Sequence, residues 1–139
     1  MTTLTDPPNS RNPISFDVPE GLLEEYNRQV GGLACEPDMF FIETFKFLQL
    51  TAECQRRTGV RCSPPRLIDE VWHCFLVYDT ELYQRFCDEH CGGFVHHKVG
   101  DSVPWLDHLV PIVQELGIEL YGEIWCHADR SKPSMAKCG

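Results

Sequence analysis

Between Phe40 and Leu50 the chain places apolar side chains on every side of a helix. At 3.6 residues per turn Phe40, Phe41, Ile42, Phe45, Phe47, Leu48 and Leu50 cover the whole circumference rather than one stripe. A helix of that kind is stable only when neighbours surround it, so the rest of the chain must supply those neighbours. It opens at Glu36-Pro37-Asp38, with Pro tolerated in a first turn and acids suited to the positive end of the dipole. Arg56 and Arg57 suit its negative end, and Gly59 is a plausible stop.

The flanking segments carry the narrower stripes expected of such neighbours. Asp17-Val-Pro-Glu20 has the form of a capping box, followed by Leu22, Leu23, Tyr26 and Val30 and ended by Gly31-Gly32. Ser63-Pro64-Pro65 opens a third helix through Leu67, Ile68, Val71, Trp72, Phe75, Leu76 and Tyr78. Asp79-Thr80-Glu81 either continues or restarts it toward Leu82, Tyr83 and Phe86, up to Gly92-Gly93. Residues 94–97 read as an extended connection. A last long helix covers about Val103 to Leu116, with Pro111 expected to kink it or delay its start, and a short apolar piece runs from Ile118 to Trp125. No alternating strand pair joined by a hairpin turn is visible. The expectation is an all-α, irregular bundle of four to five helices: one domain over 16–128, with mobile tails at 1–15 and 129–139.

Charge and cysteine usage narrow the function classes. The 139 residues hold twelve Lys and Arg, scattered along the chain, and the formal net charge is −9. A phosphate-tracking surface needs a basic stripe, so nucleic acid is not an expected partner. No stretch approaches the ~18 apolar residues of a membrane span, and the first residues lack the form of a signal peptide, so a cytoplasmic protein without membrane contact is expected. A reducing compartment does not favour structural disulfides, which leaves eight cysteines to explain. None forms a CxxC pair. Cys54 and Cys74 fall within helical patterns as small buried hydrophobes.

The chemistry concentrates between Pro65 and Gly100, where Asp69, Glu70 and His73 are followed by Cys87, His90, Cys91, His96 and His97. Asp69 and Glu70 lie four and three residues before His73, so either carboxylate can share a helix face with that imidazole. In an extended segment His96 and His97 point to opposite sides, so at most one faces the same pocket. Cys87 and Cys91 are four apart and can share a face. His73, Cys87, Cys91, His96 and His97 are therefore the candidate metal ligands. Zinc or another transition metal is the expected cofactor, with Asp69 or Glu70 as general base on a bound water if a coordination position stays open. Four closed ligands make the metal architectural instead. A di-iron centre requires a second Glu-x-x-His, which the chain lacks; Glu123 and His127 are four apart. A thiolate–imidazole pair of Cys87 or Cys91 with His90 or His96 is the metal-free enzymatic alternative.

The ordered string Ser63-Pro-Pro-Arg-Leu-Ile-Asp-Glu-Val-Trp-His73, then Asp79-Thr80, Tyr83, Phe86-Cys87 and Val95-His96-His97, resembles the glycine-rich domain-containing protein-like family, and also a domain of bacterial proteins of unknown function. The resemblance spans about residues 36 to 125, taking in Phe45 to Leu50 upstream and Tyr121 to Trp125 downstream. It implies a helical domain without a defined activity. The family has a second histidine two residues after its Trp-His pair, and here that position is Phe75. The combined expectation is a small helical metal-binding domain acting on an unidentified small molecule or protein. Its counterpart is a non-catalytic interaction module in which the DEVWH and HH strings are structural.

Overall fold

The structure, a computed structural model, describes residues 2–5, 15–30, 37–97 and 102–126. The expected 129–139 tail, the Gly31-Gly32 stop, Cys35, Cys138 and His127 lie outside them. Among the described residues the order is β1 (Thr2–Thr5), β2 (Ser15–Val18), α1 (Glu20–Val30), α2 (Pro37–Thr58), β3 (Cys62–Ser63), α3 (Arg66–Tyr78), α4 (Thr80–His90), β4 (Val103–Pro104), α5 (Trp105–Leu116) and α6 (Gly122–Trp125). The fold is all-α with two strand pairs at its margins. β1 runs antiparallel to β2, with Thr2 opposite Val18, and β3 runs parallel to β4, with Cys62 opposite Val103.

α2 is the axis of the molecule, with α1, α3, α5 and α6 all packed on it. Every residue from 40 to 48 is buried, as an apolar surface on all sides requires. Burying each of Phe40, Phe41, Phe45 and Phe47 contributes about 1.5–3 kcal/mol relative to exposure. Phe45 lies at the centre of an aromatic cluster, 4.6 Å from Phe86 and 5.6 Å from Phe75 between ring centroids. Phe75 in turn meets the Tyr83 ring edge-on at 5.1 Å.

Two charged residues sit inside this apolar run. Glu43 and Lys46 pair at 3.0 Å with side chains only 1% exposed. Glu43 also accepts from the Tyr121 N–H at 2.9 Å and the Trp125 indole N–H at 2.8 Å, while Lys46 donates to the Glu119 carbonyl at 2.8 Å. Buried charges persist only when paired and hydrogen-bonded, and here the partners come from the segment carrying α6. The pair thus clamps that segment onto α2.

Several boundaries depart from the sequence reading for identifiable reasons. Thr2–Thr5 lies within the expected tail yet forms a strand, because Ser15–Val18 offers it a ladder. Asp17 belongs to that strand, and α1 begins at Glu20 with the Leu22 N–H on the Pro19 carbonyl. The Ser63 hydroxyl donates to the Val103 carbonyl at 3.1 Å, so it fastens β3 to β4 rather than capping α3. At Asp79, where the sequence left continuation and restart both open, the helix restarts: Asp79 is extended (φ −159°, ψ 101°) and its carboxylate accepts from the Glu81 and Leu82 N–H groups. Pro111 neither delays α5 nor ends it. That helix starts at Trp105 and closes at Gly117, which adopts φ 67°.

Candidate metal site on the third helix and the 94–97 connection

α3 presents two faces of opposite character. Leu67, Ile68, Val71, Cys74 and Phe75 turn inward, and one turn apart on another face stand Asp69 and the exposed His73. Residues two apart on a helix lie on nearly opposite sides, so Phe75, fully buried among aromatic rings, faces away from His73. Position 75 is therefore a core position. Its occupation by Phe75 leaves the Asp69–His73 face intact.

The 94–97 connection brings the third group. His97 Nε2 lies 2.8 Å from Asp69 Oδ1, with the imidazole about three-quarters covered and the carboxylate half exposed. The His97 ring stands edge-on against Trp72 at 4.5 Å and 6.0 Å from the His73 ring. Burial alternates along the segment: Val95 is inside, His96 outside, His97 half inside. That is the two-residue period of extended backbone, and it selects His97 over His96 for the face shared with His73. His96 packs against Phe94 instead, at 4.7 Å.

What fixes the connection is a buried relay beneath it. The Trp72 indole N–H donates to the Tyr83 hydroxyl at 2.8 Å, and that hydroxyl donates to the Val95 carbonyl at 2.5 Å. Burial pushes the Tyr83 hydroxyl well above the ordinary phenol range, so it stays protonated as the donor this geometry needs. Trp72 thus supports His97 with its ring and Val95 through Tyr83.

The remaining candidates stand apart from this trio. Glu70 is held by Arg66 at 2.7 Å, one turn back along α3. Cys87 in the last turn of α4 and Cys91 at its C-cap are both buried. The Cys91 thiol, the Val95 N–H and the Tyr83 hydroxyl act on Cys87 sulfur and lower its pKa against the opposing effect of burial. Cys91 shifts the other way, raised by its interaction with the Cys87 thiol and by burial. A substrate cannot reach thiols so enclosed, which counts against the thiolate–imidazole alternative, and the His90 ring packs on Phe86. As the side chains stand, no group of three or more His, Cys, Asp or Glu among the described residues converges on a single point.

Cys54, Cys62 and Cys74 are free and buried, as the helical pattern indicates for Cys54 and Cys74, whereas Cys126 is disulfide-bonded. That bond departs from the expectation that structural disulfides are disfavoured. Among the described residues no helix is long and apolar enough to cross a membrane. Sequence reasoning missed Glu43 and Lys46 altogether; their signal was a charge pair three apart on a helix with no polar face to receive it. Compared with known proteins, the chain matches no family model, no curated protein and no solved structure.

Proposed function

We propose that this protein binds a divalent transition ion, zinc by preference, through Asp69, His73 and His97. The observation that carries the reading is the 2.8 Å approach of His97 Nε2 to Asp69 Oδ1 beside an exposed His73 on the same helix face. Tetrahedral ligand bonds of 2.0–2.2 Å put adjacent donor atoms about 3.4 Å apart, so the carboxylate and imidazole need to part by only about 0.6 Å to form a chelating bite. Two imidazoles sharing one tetrahedral ion hold their ring centres about 5 Å apart, about 1 Å less than the 6.0 Å here. His73 is exposed, and a turn of its side chain toward the pair is the movement by which it joins the set in this reading.

Two imidazoles and one carboxylate leave coordination positions for water or substrate, and zinc brings such a water to a pKa of about 7. A hydrolytic or lyase-type activity on a small molecule is the chemistry such a centre supports. The resemblance to glycine-rich domain-containing protein-like chains contributes a helical fold to this reading and no activity.

One observation favours a second reading. The Asp69–His97 pair and the Trp72–Tyr83–Val95 relay together pin the 94–97 connection to α3, which is what a non-catalytic module needs from these residues. His73 separates the two readings, since its exposed ring has no part in that pinning. Metal analysis of natively purified protein, with zinc titrations of Asp69→Asn, His73→Ala and His97→Ala, makes the distinction. A metal centre gives about one ion per chain and at least about tenfold weaker zinc binding in all three variants. Absence of metal, with His73→Ala indistinguishable from the parent and His97→Ala less stable, overturns the first reading in favour of the second.

A further inference from the structure

The cysteine pair between α2 and β3 has no part in the reading above, and its two sulfurs are in contact. Cys54 Sγ and Cys62 Sγ stand 3.9 Å apart, on residues eight apart in sequence, and both thiols are free. We propose that Cys54 and Cys62 are a disulfide site, closed by a hydroperoxide and joining the last turns of α2 to β3. Thr51, Cys54 and Thr58 share one face of α2 by their spacing, and Cys62 lies against that face. The Cys62 N–H donates to the Thr51 hydroxyl at 3.2 Å, and the Thr58 hydroxyl lies 3.7 Å from Cys54 sulfur. The backbone of β3 is therefore docked on α2 before any bond joins the sulfurs. A disulfide of about 2.05 Å asks them to approach by a further ~1.9 Å, which side-chain rotation with a small local adjustment supplies.

Enclosure decides the class of oxidant. Cys54 and Cys62 are 1% and 4% exposed, which shuts out bulky disulfide reagents, whereas hydrogen peroxide is little larger than water. One sulfur attacks a peroxide oxygen, the O–O bond breaks, and a sulfenic acid and one water result. The second sulfur then displaces the sulfenic hydroxyl as a second water and forms the S–S bond. Both thiol protons leave in these waters; the two sulfurs give up two electrons and the peroxide oxygens take them. Burial pushes the Cys62 thiol up to about 12, so it is protonated at rest and closure is slow at neutral pH. The bond acts on the strand that leads into α3. Ser63, next to Cys62, fastens β3 to β4, and α3 with Asp69 and His73 begins at Arg66. Closure removes the freedom of β3 to part from α2.

The test treats the folded full chain with hydrogen peroxide at about pH 9, where thiolate is more abundant. Remaining thiols are then capped with N-ethylmaleimide in denaturant, and unreduced tryptic peptides are read by mass spectrometry. Arg56, Arg57 and Arg61 lie between the two cysteines, so trypsin parts them, and residues 47–56 stay with residues 62–66 only through the bond. The expected result is that cross-linked peptide in most chains, two hydrogen atoms lighter than its separate halves, and a urea midpoint above that of the untreated protein. Cys54→Ser and Cys62→Ser, treated alike, should show neither the cross-link nor the rise in midpoint. Capping of both cysteines after peroxide, a sulfinic acid at either, a bond from either to another cysteine, or a midpoint that falls on closure would each overturn the proposal. The cross-link is read on the unsubstituted protein, so it decides the matter even if a serine variant does not fold.

Discussion

At the scale of single residues, the buried hydroxyl of Tyr83 is the most consequential atom near the candidate site. It is at once acceptor for Trp72 and donor to Val95, so Tyr83→Phe strands an indole N–H and a carbonyl in the core. The expected cost is about 1–3 kcal/mol by urea denaturation, with zinc affinity falling because His97 loses its support. Cys74 provides a pH-dependent test. Burial, aided by Glu25, pushes its thiol up from 9.0 to about 11. The unfolded chain therefore releases this proton near pH 9 while the folded chain keeps it to about pH 11. The stability is fully present below pH 9 and is lost as pH rises through that window. Cys74→Ala should flatten the decline in urea midpoint between pH 9 and 11.

The residues of the site were legible in the sequence to differing degrees. Asp69 and His73 could be placed on one face from spacing alone, and alternation limited the histidine pair to one inward member. That the inward member is His97, and that it meets Asp69 rather than Glu70, depends on how α4 returns to α3, which no local pattern encodes. Cys87 and Cys91 were legible as a pair but not as a pair separate from the imidazoles. Glu43 and Lys46 went unread because a charge pair three apart normally marks a solvated face, and its partners lie beyond residue 118.

At the scale of elements, the bundle depends on interruptions as much as on helices. The break at Asp79 turns one apolar segment into two antiparallel-capable pieces, and the cap is its only side-chain anchor among the described residues. Asp79→Ala is expected to cost about 1 kcal/mol, read as a fall in Tm, whereas Asp79→Asn should retain most of the stability. The helices themselves followed from periodicity, with six among the described residues where four or five were expected. The restart at Asp79 accounts for the fifth, and the sixth is the single turn of α6, too short for a period to register. The strand pairs were invisible for the same reason: β3 and β4 are two residues each, forty apart in sequence.

On the scale of the whole molecule, the core is a sleeve around α2, and the Glu43–Lys46 pair determines how that sleeve closes. Glu43→Ala should destabilise by about 3–5 kcal/mol in urea unfolding, because it leaves Lys46 buried without its counter-charge and strips two N–H donors of their acceptor. A charge pair of this kind also imposes an order in time. Its partners lie 73 to 82 residues further along the chain, a distance a ribosome covers in about 4–16 s at 5–20 residues per second. Throughout that interval the helix that the finished domain surrounds carries two charges whose partners on the α6 segment have not yet been made. The two residues that lock the finished domain thus reach their full set of partners only once Trp125 exists, which makes their contribution to the core a late one.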